Sequence, residues 1–167
     1  MKNILKVQEK MDVGAFIISL LIAEGTGFIA GAFTKNSMEM YNILNKPSFA
    51  PPAIVFPIIW PILYALMALA AYRVYMVGKT TEENVKGALM LYGIQLILNF
   101  LWPFLFFTFR LYGLAFVEIV ILLIFIVLTT IAFFKKDKIS GILMIPYILW
   151  VAYAAVLNFF IWATNEM

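Results

Sequence analysis

Three apolar stretches of this sequence each place a tryptophan on one helical face with aromatic or amide side chains. Residues at i, i+4 and i+7 spacing lie on one side of a helix. Side-chain amides are costly against lipid, so we expect these faces to point into a helix bundle, where they either bond across helices or line a cavity. The faces are Phe56, Trp60, Tyr64 and Met67 in one stretch, Gln95, Asn99, Trp102 and Phe106 in the next, and Tyr147, Trp150, Ala154 and Asn158 in the third.

Indole rings beside amide groups suit a flat, largely apolar ligand that carries a few polar groups. The competing interpretation is that the aromatic faces are ordinary helix packing, or belong to the interfacial belts in which Trp and Tyr prefer to lie. The spacing alone leaves both interpretations open.

Two carboxylic acids also fall within apolar stretches. Glu24 lies near the middle of the first stretch, where a charge costs about 3 kcal/mol on insertion scales, so we expect it to be protonated, paired or facing water. It is either a proton-coupling carboxyl or a neutral acid bonded to a neighbouring helix. Glu118 lies about one turn into the fourth stretch, within reach of the interface or of Arg110, which favours a structural role.

Missing residue types exclude several kinds of chemistry. The chain has no cysteine and no histidine, which removes thiolate and imidazole metal sites, disulfides, thiol catalysis and a Ser-His-Asp triad. It also removes the commonest axial ligand of haem. We therefore expect no metal site and no resident cofactor, and we expect no nucleic-acid partner.

The elements that position these residues must be membrane helices. Of the 167 residues, 65% are hydrophobic and 13% charged, whereas a soluble domain is about half apolar and about a quarter charged. A spanning helix uses about 20 residues. The sequence predicts a single, all-α transmembrane domain, 1–167, that forms a five-helix bundle in the lipid bilayer, with helices at about 13–33, 54–77, 87–109, 114–134 and 139–163. The first stretch is too long for the apolar core of a signal peptide and is expected to be retained.

One long connection, residues 34–53, interrupts the helices and is expected to cap one end of the bundle as a lid. Lys46-Pro47 and Pro51-Pro52 favour extended backbone there, and long loops are usually functional or disordered. We expect Lys46 to lie at the pocket mouth, where it could meet an anionic group of a ligand. In the first helix, Ala23, Gly27 and Gly31 repeat at four-residue spacing and would permit close helix approach.

The distribution of basic residues predicts the orientation of the protein. One side receives nine Lys and Arg residues, Lys2, Lys6, Lys10, Arg73, Lys79, Lys86, Lys135, Lys136 and Lys138, and the other receives three, Lys35, Lys46 and Arg110. We expect the N-terminus to be cytoplasmic, and the lid and the C-terminus to face outward.

Three segments together resemble the signature of the translocator protein family, also called tryptophan-rich sensory proteins or peripheral-type benzodiazepine receptors. The lid reads YNILNKPSFAPP over 41–52 and is followed by VFPIIWPILY over 55–64. The third helix contains QLILNFLWP over 95–103, and the fifth contains PYILW over 146–150, then Asn158 and Trp162. The sequence departs from the family pattern at Asn42 and Phe49, and it lacks the tyrosine and basic residue of the proposed sterol motif near Phe159.

The resemblance implies a commonly dimeric five-helix bundle with a pocket between helices, beneath the first loop. Family members bind porphyrins such as protoporphyrin IX, and many bind isoquinoline carboxamide and benzodiazepine-type drugs. Carried over residue by residue, the pocket lining would be Trp60, Asn99, Trp102, Tyr147, Trp150 and Ala154, with Tyr41, Pro47 and Pro52 contributed by the lid.

The resemblance leads to one main hypothesis and one alternative, and the position of Glu24 in an apolar stretch adds a second alternative. The main one is a membrane receptor or translocator of tetrapyrrole-type ligands, most simply a homodimer. The first alternative is light- and oxygen-dependent porphyrin breakdown, with Trp60 and Trp150 as the candidate catalytic residues because they match the two tryptophans linked to that activity in bacterial relatives. The second is a proton-coupled exporter that uses Glu24.

Overall fold

The computed structural model describes residues 4–34 and 36–166, which form six α-helices and one short π-helix. The elements are α1 (Val13–Phe33), α2 (Ser37–Ile43), α3 (Val55–Thr81), α4 (Lys86–Pro103), the π-helix (Phe104–Thr108), α5 (Tyr112–Lys136) and α6 (Lys138–Asn165). Five helical segments are long and apolar enough to cross a membrane: α1, α3, α4 together with the π-helix, α5 and α6. This confirms the predicted all-α, five-span architecture.

The connection 34–53 is not a simple loop, because α2 forms within it. Prolines 47, 51 and 52 lie outside this helix, as their missing N–H groups require. Met40 and Tyr41 on α2 are buried. The sequence pattern indicated one long connection over 34–53, but the structure has a short helix in its first half, where burial of these two side chains stabilises it against the bundle.

Local sequence explains where several helices begin and end. Asp12 caps α1, since its Oδ1 accepts a hydrogen bond from the Ala15 N–H at 2.9 Å, and Asp137 caps α6 through the Ser140 N–H at 2.9 Å. Pro103 ends α4, and the backbone then widens into the π-helix, in which the Phe109 N–H bonds the Phe104 carbonyl at 2.8 Å. The helix α3 continues through Pro61.

Small residues set the contact between α1 and α3. A Cβ atom added at Gly27 would lie 2.2 Å from the Tyr64 ring, so the close approach expected from the four-residue repeat occurs at this position. Ala23 is fully buried, whereas a Cβ at Gly31 would meet nothing within 4 Å. Large apolar side chains such as Leu21 and Leu149 point outward, as the surface of a membrane-embedded bundle requires.

Ion pairs join the helices at the end of the bundle where α1 begins. Arg73 forms a two-point contact with Asp137, at 2.7 Å from Nε and 3.0 Å from Nη2. Lys79 contacts Asp12 at 2.6 Å, and Lys136 contacts Glu83 at 2.6 Å. We call these six residues the ion-paired end.

The segment that precedes α1 is also held at the ion-paired end. Arg73 donates hydrogen bonds to the carbonyls of Ile4 and Lys6, and the Tyr72 hydroxyl donates to the carbonyl of Leu5 at 2.9 Å. Lys2 and Lys35, which contributed to the predicted orientation, lie outside the described residues. The cytoplasmic location of this end stays a prediction.

Candidate ligand-binding pocket

A cavity of about 400 Å³ lies beneath α2, with walls from all five spans. Its size falls within the range of small-molecule sites. The wall is largely apolar, and the polar side chains that reach it include Glu24 and Asn99. Three tryptophans, Trp60 from α3, Trp102 from α4 and Trp150 from α6, all line this one cavity.

Neighbouring rings hold each tryptophan in place. Trp60 packs on Tyr64, with ring centroids 5.6 Å apart. Trp102 stacks on Phe106 at 4.9 Å, and its indole N–H donates to the Asn158 Oδ1 at 3.1 Å. The Asn158 amide donates in turn to the Tyr112 carbonyl at 2.9 Å, which fixes the orientation of Trp102.

Trp150 is held differently from Trp102. Its ring packs against Phe56 at 6.0 Å and Tyr153 at 5.7 Å. Its buried indole N–H has no hydrogen-bond partner in the part of the chain that the structure describes. A buried donor of this kind is costly when it stays unpaired, and it belongs to a residue of the pocket wall.

Asn99 joins three helices behind the tryptophans. The Tyr64 hydroxyl of α3 donates to the Asn99 Oδ1, the Asn99 amide donates to the Tyr147 hydroxyl of α6 at 2.7 Å, and that hydroxyl donates to the Gln95 Oε1 at 2.9 Å. We call these four residues the amide–tyrosine network. The other amide expected inside the bundle, Asn158, does not join this network, because its side chain bonds Trp102 and Tyr112 instead.

The lid covers the cavity through α2. Tyr41 lines the pocket, packs edge-on against Phe56 at 5.0 Å and donates its hydroxyl to the Pro51 carbonyl at 2.9 Å. Burial, with a smaller contribution from the nearby Tyr153, raises the pKa of Tyr41 to about 12, so its hydroxyl stays a hydrogen-bond donor at neutral pH. The Phe49 carbonyl accepts a hydrogen bond from Tyr153 at 2.9 Å, which ties the lid to α6.

Lys46 is bonded to the backbone of the lid itself. Its Nζ donates to the carbonyls of Tyr41, Asn42 and Leu44, at 2.5, 3.1 and 3.2 Å, and it lies 4.8 Å from the centre of the Tyr41 ring. An ammonium has three hydrogens to donate, and all three are used on the end of α2. Whether Lys46 also meets an anionic group of a ligand stays a prediction.

The structure brings six of the nine expected binding residues to the cavity wall: Tyr41, Trp60, Asn99, Trp102, Trp150 and Ala154. Tyr147 is fully buried behind Asn99. Pro47 and Pro52 lie in the lid outside the cavity lining. Whether any of the nine binds a ligand stays a prediction.

Sequence reasoning missed the wall that α1 provides. Glu24, Gly27, Phe28 and Gly31 face the cavity, although only the small-residue repeat gave a signal there. Glu24, considered for proton coupling, thus lies in the pocket wall. In the described part of the chain, Glu24 forms no hydrogen bond with a neighbouring helix, although the second alternative for this residue required one.

Glu118 also differs from expectation. It lies in the second turn of α5 and is buried, and neither of its carboxyl oxygens has a hydrogen-bond partner among the described residues. The expected contact with Arg110 is therefore not made, and the reach to the interface stays a prediction. The first residue of α5 is Tyr112, so Glu118 lies more than one turn inside the helix.

The fold and the cavity define a class of protein: a five-span membrane protein with a ligand-sized aromatic pocket closed by a lid. The profile of the TspO/MBR family matches residues 18–163, and the chain belongs to this family. The resemblance inferred from the lid and helix motifs is thereby confirmed.

Relatives from bacteria and animals agree with this assignment. The chain is 40% identical to the tryptophan-rich protein TspO of Chlorobaculum tepidum over 153 residues, which cover 90% of this chain and 94% of that protein. It is 38% identical to the tryptophan-rich sensory protein of Cereibacter sphaeroides over 87% of this chain and 88% of that protein. It is 34% identical to the translocator protein of Homo sapiens over 85% of this chain and 82% of that protein.

Proposed function

We propose that the protein is an integral-membrane receptor or translocator that binds a porphyrin-type tetrapyrrole in the aromatic pocket. The observation that carries this proposal is the convergence of Trp60, Trp102 and Trp150 on one cavity of about 400 Å³. Flat conjugated rings stack well on indole. The names of the relatives, sensory protein and translocator protein, fit a protein that binds a small molecule in a membrane.

The polar groups of the wall favour a ligand that is apolar over most of its area. Asn99 is an amide that borders the cavity, and Trp150, another wall residue, has a buried indole N–H with no partner among the described residues. A ligand carboxylate or ring nitrogen can accept from such a donor. Isoquinoline carboxamide and benzodiazepine-type drugs combine flat rings with carbonyl acceptors in the same way, and we propose that they compete for this pocket.

Tryptophan fluorescence tests porphyrin binding directly, because three of the four tryptophans line the cavity and Trp162 does not. Protoporphyrin IX titrated into the detergent-solubilised protein in the dark should quench most of the emission with saturation. Trp162 packs on Phe116 at 5.9 Å, so Trp162→Phe is the matched control and should keep the affinity, whereas Trp60→Phe and Trp102→Phe should weaken it. Equal affinities in all three variants would contradict the proposed site.

Light-driven oxidation of the porphyrin is a second candidate function, favoured by the surroundings of Trp60 and Trp150. Trp60 lies 5.6 Å from the Tyr64 ring, and Trp150 lies 5.7 Å from the Tyr153 ring, so each indole has an oxidisable phenol beside it. Illumination of the bound porphyrin in the presence of dioxygen should then form a new pigment.

The double variant Trp60→Phe, Trp150→Phe separates this activity from binding, since it keeps two aromatic rings in the wall but removes the easily oxidised indoles. Loss of the photoproduct, corrected for the porphyrin that remains bound, supports the activity. An unchanged yield per bound porphyrin argues against it.

Proton-coupled export is a third candidate, favoured by the position of Glu24 in the cavity wall. It predicts porphyrin flux out of proteoliposomes that follows a pH gradient and is lost in Glu24→Gln. Binding without gradient-driven flux would leave the receptor as the function.

A further inference from the structure

Glu118 is a buried carboxyl group that the aromatic pocket does not explain. Only 9% of its surface is exposed, and both oxygens lack a hydrogen-bond partner in the described part of the chain. Most buried polar groups in proteins are paired, so an unpaired one calls for a specific reason.

The ionisable groups around Glu118 offer no positive charge. The helix α5 packs against α3, α4, the π-helix and α6. From α6, Tyr147 is near enough to interact with Glu118 electrostatically, and the tyrosines of α3 and α4 that interact with Tyr147 in turn are Tyr64 and Tyr92. The π-helix, FLFFT, has no ionisable side chain.

The basic residues of α5 itself are remote from this carboxyl. Lys135 and Lys136 lie at the opposite end of the helix, about 25 Å away at 1.5 Å per residue. Arg110, just before α5, forms no hydrogen bond with Glu118 among the described residues. A carboxylate buried without a partner or a cation is so unfavourable that the group takes up a proton instead.

We propose that Glu118 is a proton-binding site in the core of the bundle, and that its proton is required for ligand binding in the aromatic pocket. The proton-binding site concerns the chain itself, whereas its link to ligand binding rests on the proposed function. The ligand of the new site is the proton.

The link to the pocket follows from the position of Glu118 on α5. Ile119 is its neighbour in the chain and Leu122 lies one turn further on, and both line the cavity. An ionised Glu118 would have to draw water or a cation between the helices, or turn α5, and either change moves this wall. A ligand that fits the wall of the neutral form must then bind more weakly once the proton is lost.

The proton-binding half is tested without any ligand, by infrared difference spectra of the detergent-solubilised protein and Glu118→Gln at neutral pH. The proposal expects the variant to lose a protonated-carboxyl band. Loss of an ionised-carboxylate band instead overturns it. The melting temperature of the native chain should also fall as the pH is raised from about 5, just above the ordinary pKa of glutamic acid, while that of Glu118→Gln stays level.

The linkage half is tested by titrating protoporphyrin IX into both proteins at a series of pH values. The native affinity should fall towards a limit of about tenfold per pH unit once the carboxyl ionises, whereas Glu118→Gln should bind with a flattened pH profile. Since the same porphyrin solutions are used, titration of the porphyrin cancels between the two proteins. An identical pH profile in both overturns the linkage.

Two further variants keep the result interpretable. Glu24→Gln removes the carboxyl of the pocket wall but leaves Glu118, so loss of the pH response in this variant alone assigns the effect to Glu24 and overturns the proposal. If Glu118→Gln does not fold, Glu118→Met supplies a neutral side chain of similar length. Absence of porphyrin binding at every pH rejects the proposed function and the linkage, while the infrared result still decides the proton-binding site.

Discussion

At the scale of single residues, Asn99 has the most demanding position, because it accepts from Tyr64, donates to Tyr147 and borders the cavity. Asn99→Ala leaves two buried tyrosine hydroxyls without this partner, and an unsatisfied buried polar group costs about 1–3 kcal/mol. We expect the free energy of unfolding to fall by roughly that amount, together with a weaker porphyrin affinity.

The matched control for Asn99→Ala is its combination with Tyr147→Phe. Tyr147→Phe removes a hydroxyl that Asn99 bonds, so Asn99→Ala should lower the stability less in this background than in the native chain. The two effects are then less than additive. Thermal unfolding and porphyrin titration on the same samples separate the two roles. Weaker binding at an unchanged melting temperature would mean that Asn99 acts on the ligand alone.

The sequence predicted which residues share the cavity better than it predicted what each one contacts. Helical spacing placed Asn99 and Trp102 on one face of their helix, since that spacing depends only on the geometry of the helix. The family resemblance then placed these two residues with Trp60 and Trp150 in one pocket, and all four line the cavity. The burial of Tyr147 and the three carbonyl partners of Lys46 depend on neighbouring elements, which local pattern does not specify.

At the scale of helices, the contact of α1 with α3 depends on a missing side chain at Gly27. A methyl group there would collide with the Tyr64 ring, and overpacking of this kind typically costs about 1–3 kcal/mol. We expect Gly27→Ala to lower the melting temperature and to disturb the hydrogen bond from Tyr64 to Asn99.

Gly25→Ala is the matched control in the same helix, because a Cβ atom there meets nothing within 4 Å. Alanine favours helix over glycine by up to about 1 kcal/mol, so this variant should be as stable as the native chain or slightly more so. Equal destabilisation by both substitutions would show that α1 does not depend on close approach at Gly27.

The spans were predictable because about 20 consecutive apolar residues leave few other structures in lipid. The helix α2 was not predicted, since an isolated seven-residue helix is unstable in water and prolines follow it from Pro47 onward. Burial of Tyr41 and the contacts of Lys46 with the end of α2 supply the stabilisation, and both are tertiary effects.

At the scale of the whole molecule, the two ends of the bundle are closed by different forces. The ion-paired end is centred on Arg73 and Asp137, whose side chains are 6% and 15% exposed. Burial alone would raise the pKa of Asp137, but hydrogen bonds from Arg73 and Ser140 outweigh it and hold the pKa below its usual range. This carboxylate therefore stabilises the fold above a pH of about 4, and the contribution is lost as the pH falls through the depressed pKa.

Asp137→Asn should destabilise the protein by about 3 kcal/mol, because it leaves the Arg73 guanidinium buried without a counter-charge. Its melting temperature should also lose the acid sensitivity of the native chain. Glu83→Gln, in the more exposed pair with Lys136, is the control and should have a much smaller effect. The measurement is thermal unfolding in detergent at several pH values.

The lid end is closed by backbone contacts that a ligand could reinforce. The Asn45 carbonyl accepts hydrogen bonds from Thr164 and from Asn165, at 3.1 and 2.9 Å. We expect protease cleavage within residues 34–53 to slow when protoporphyrin IX saturates the pocket, because Tyr41 then packs on the ligand as well. Cleavage of the Trp60→Phe, Trp102→Phe double variant should respond less, and equal rates with and without porphyrin in the native protein would argue against a lid.

The three carbonyl contacts of Lys46 have a consequence for covalent labelling. In acylation the lysine nitrogen attacks the acyl carbon of the reagent, and this nitrogen must first leave the carbonyls at the end of α2. Exposed lysines such as Lys86 lack that restraint. Lys46 should thus be acylated slowly while α2 is folded, and its modification rate, read by mass spectrometry, would measure how often the lid helix unwinds.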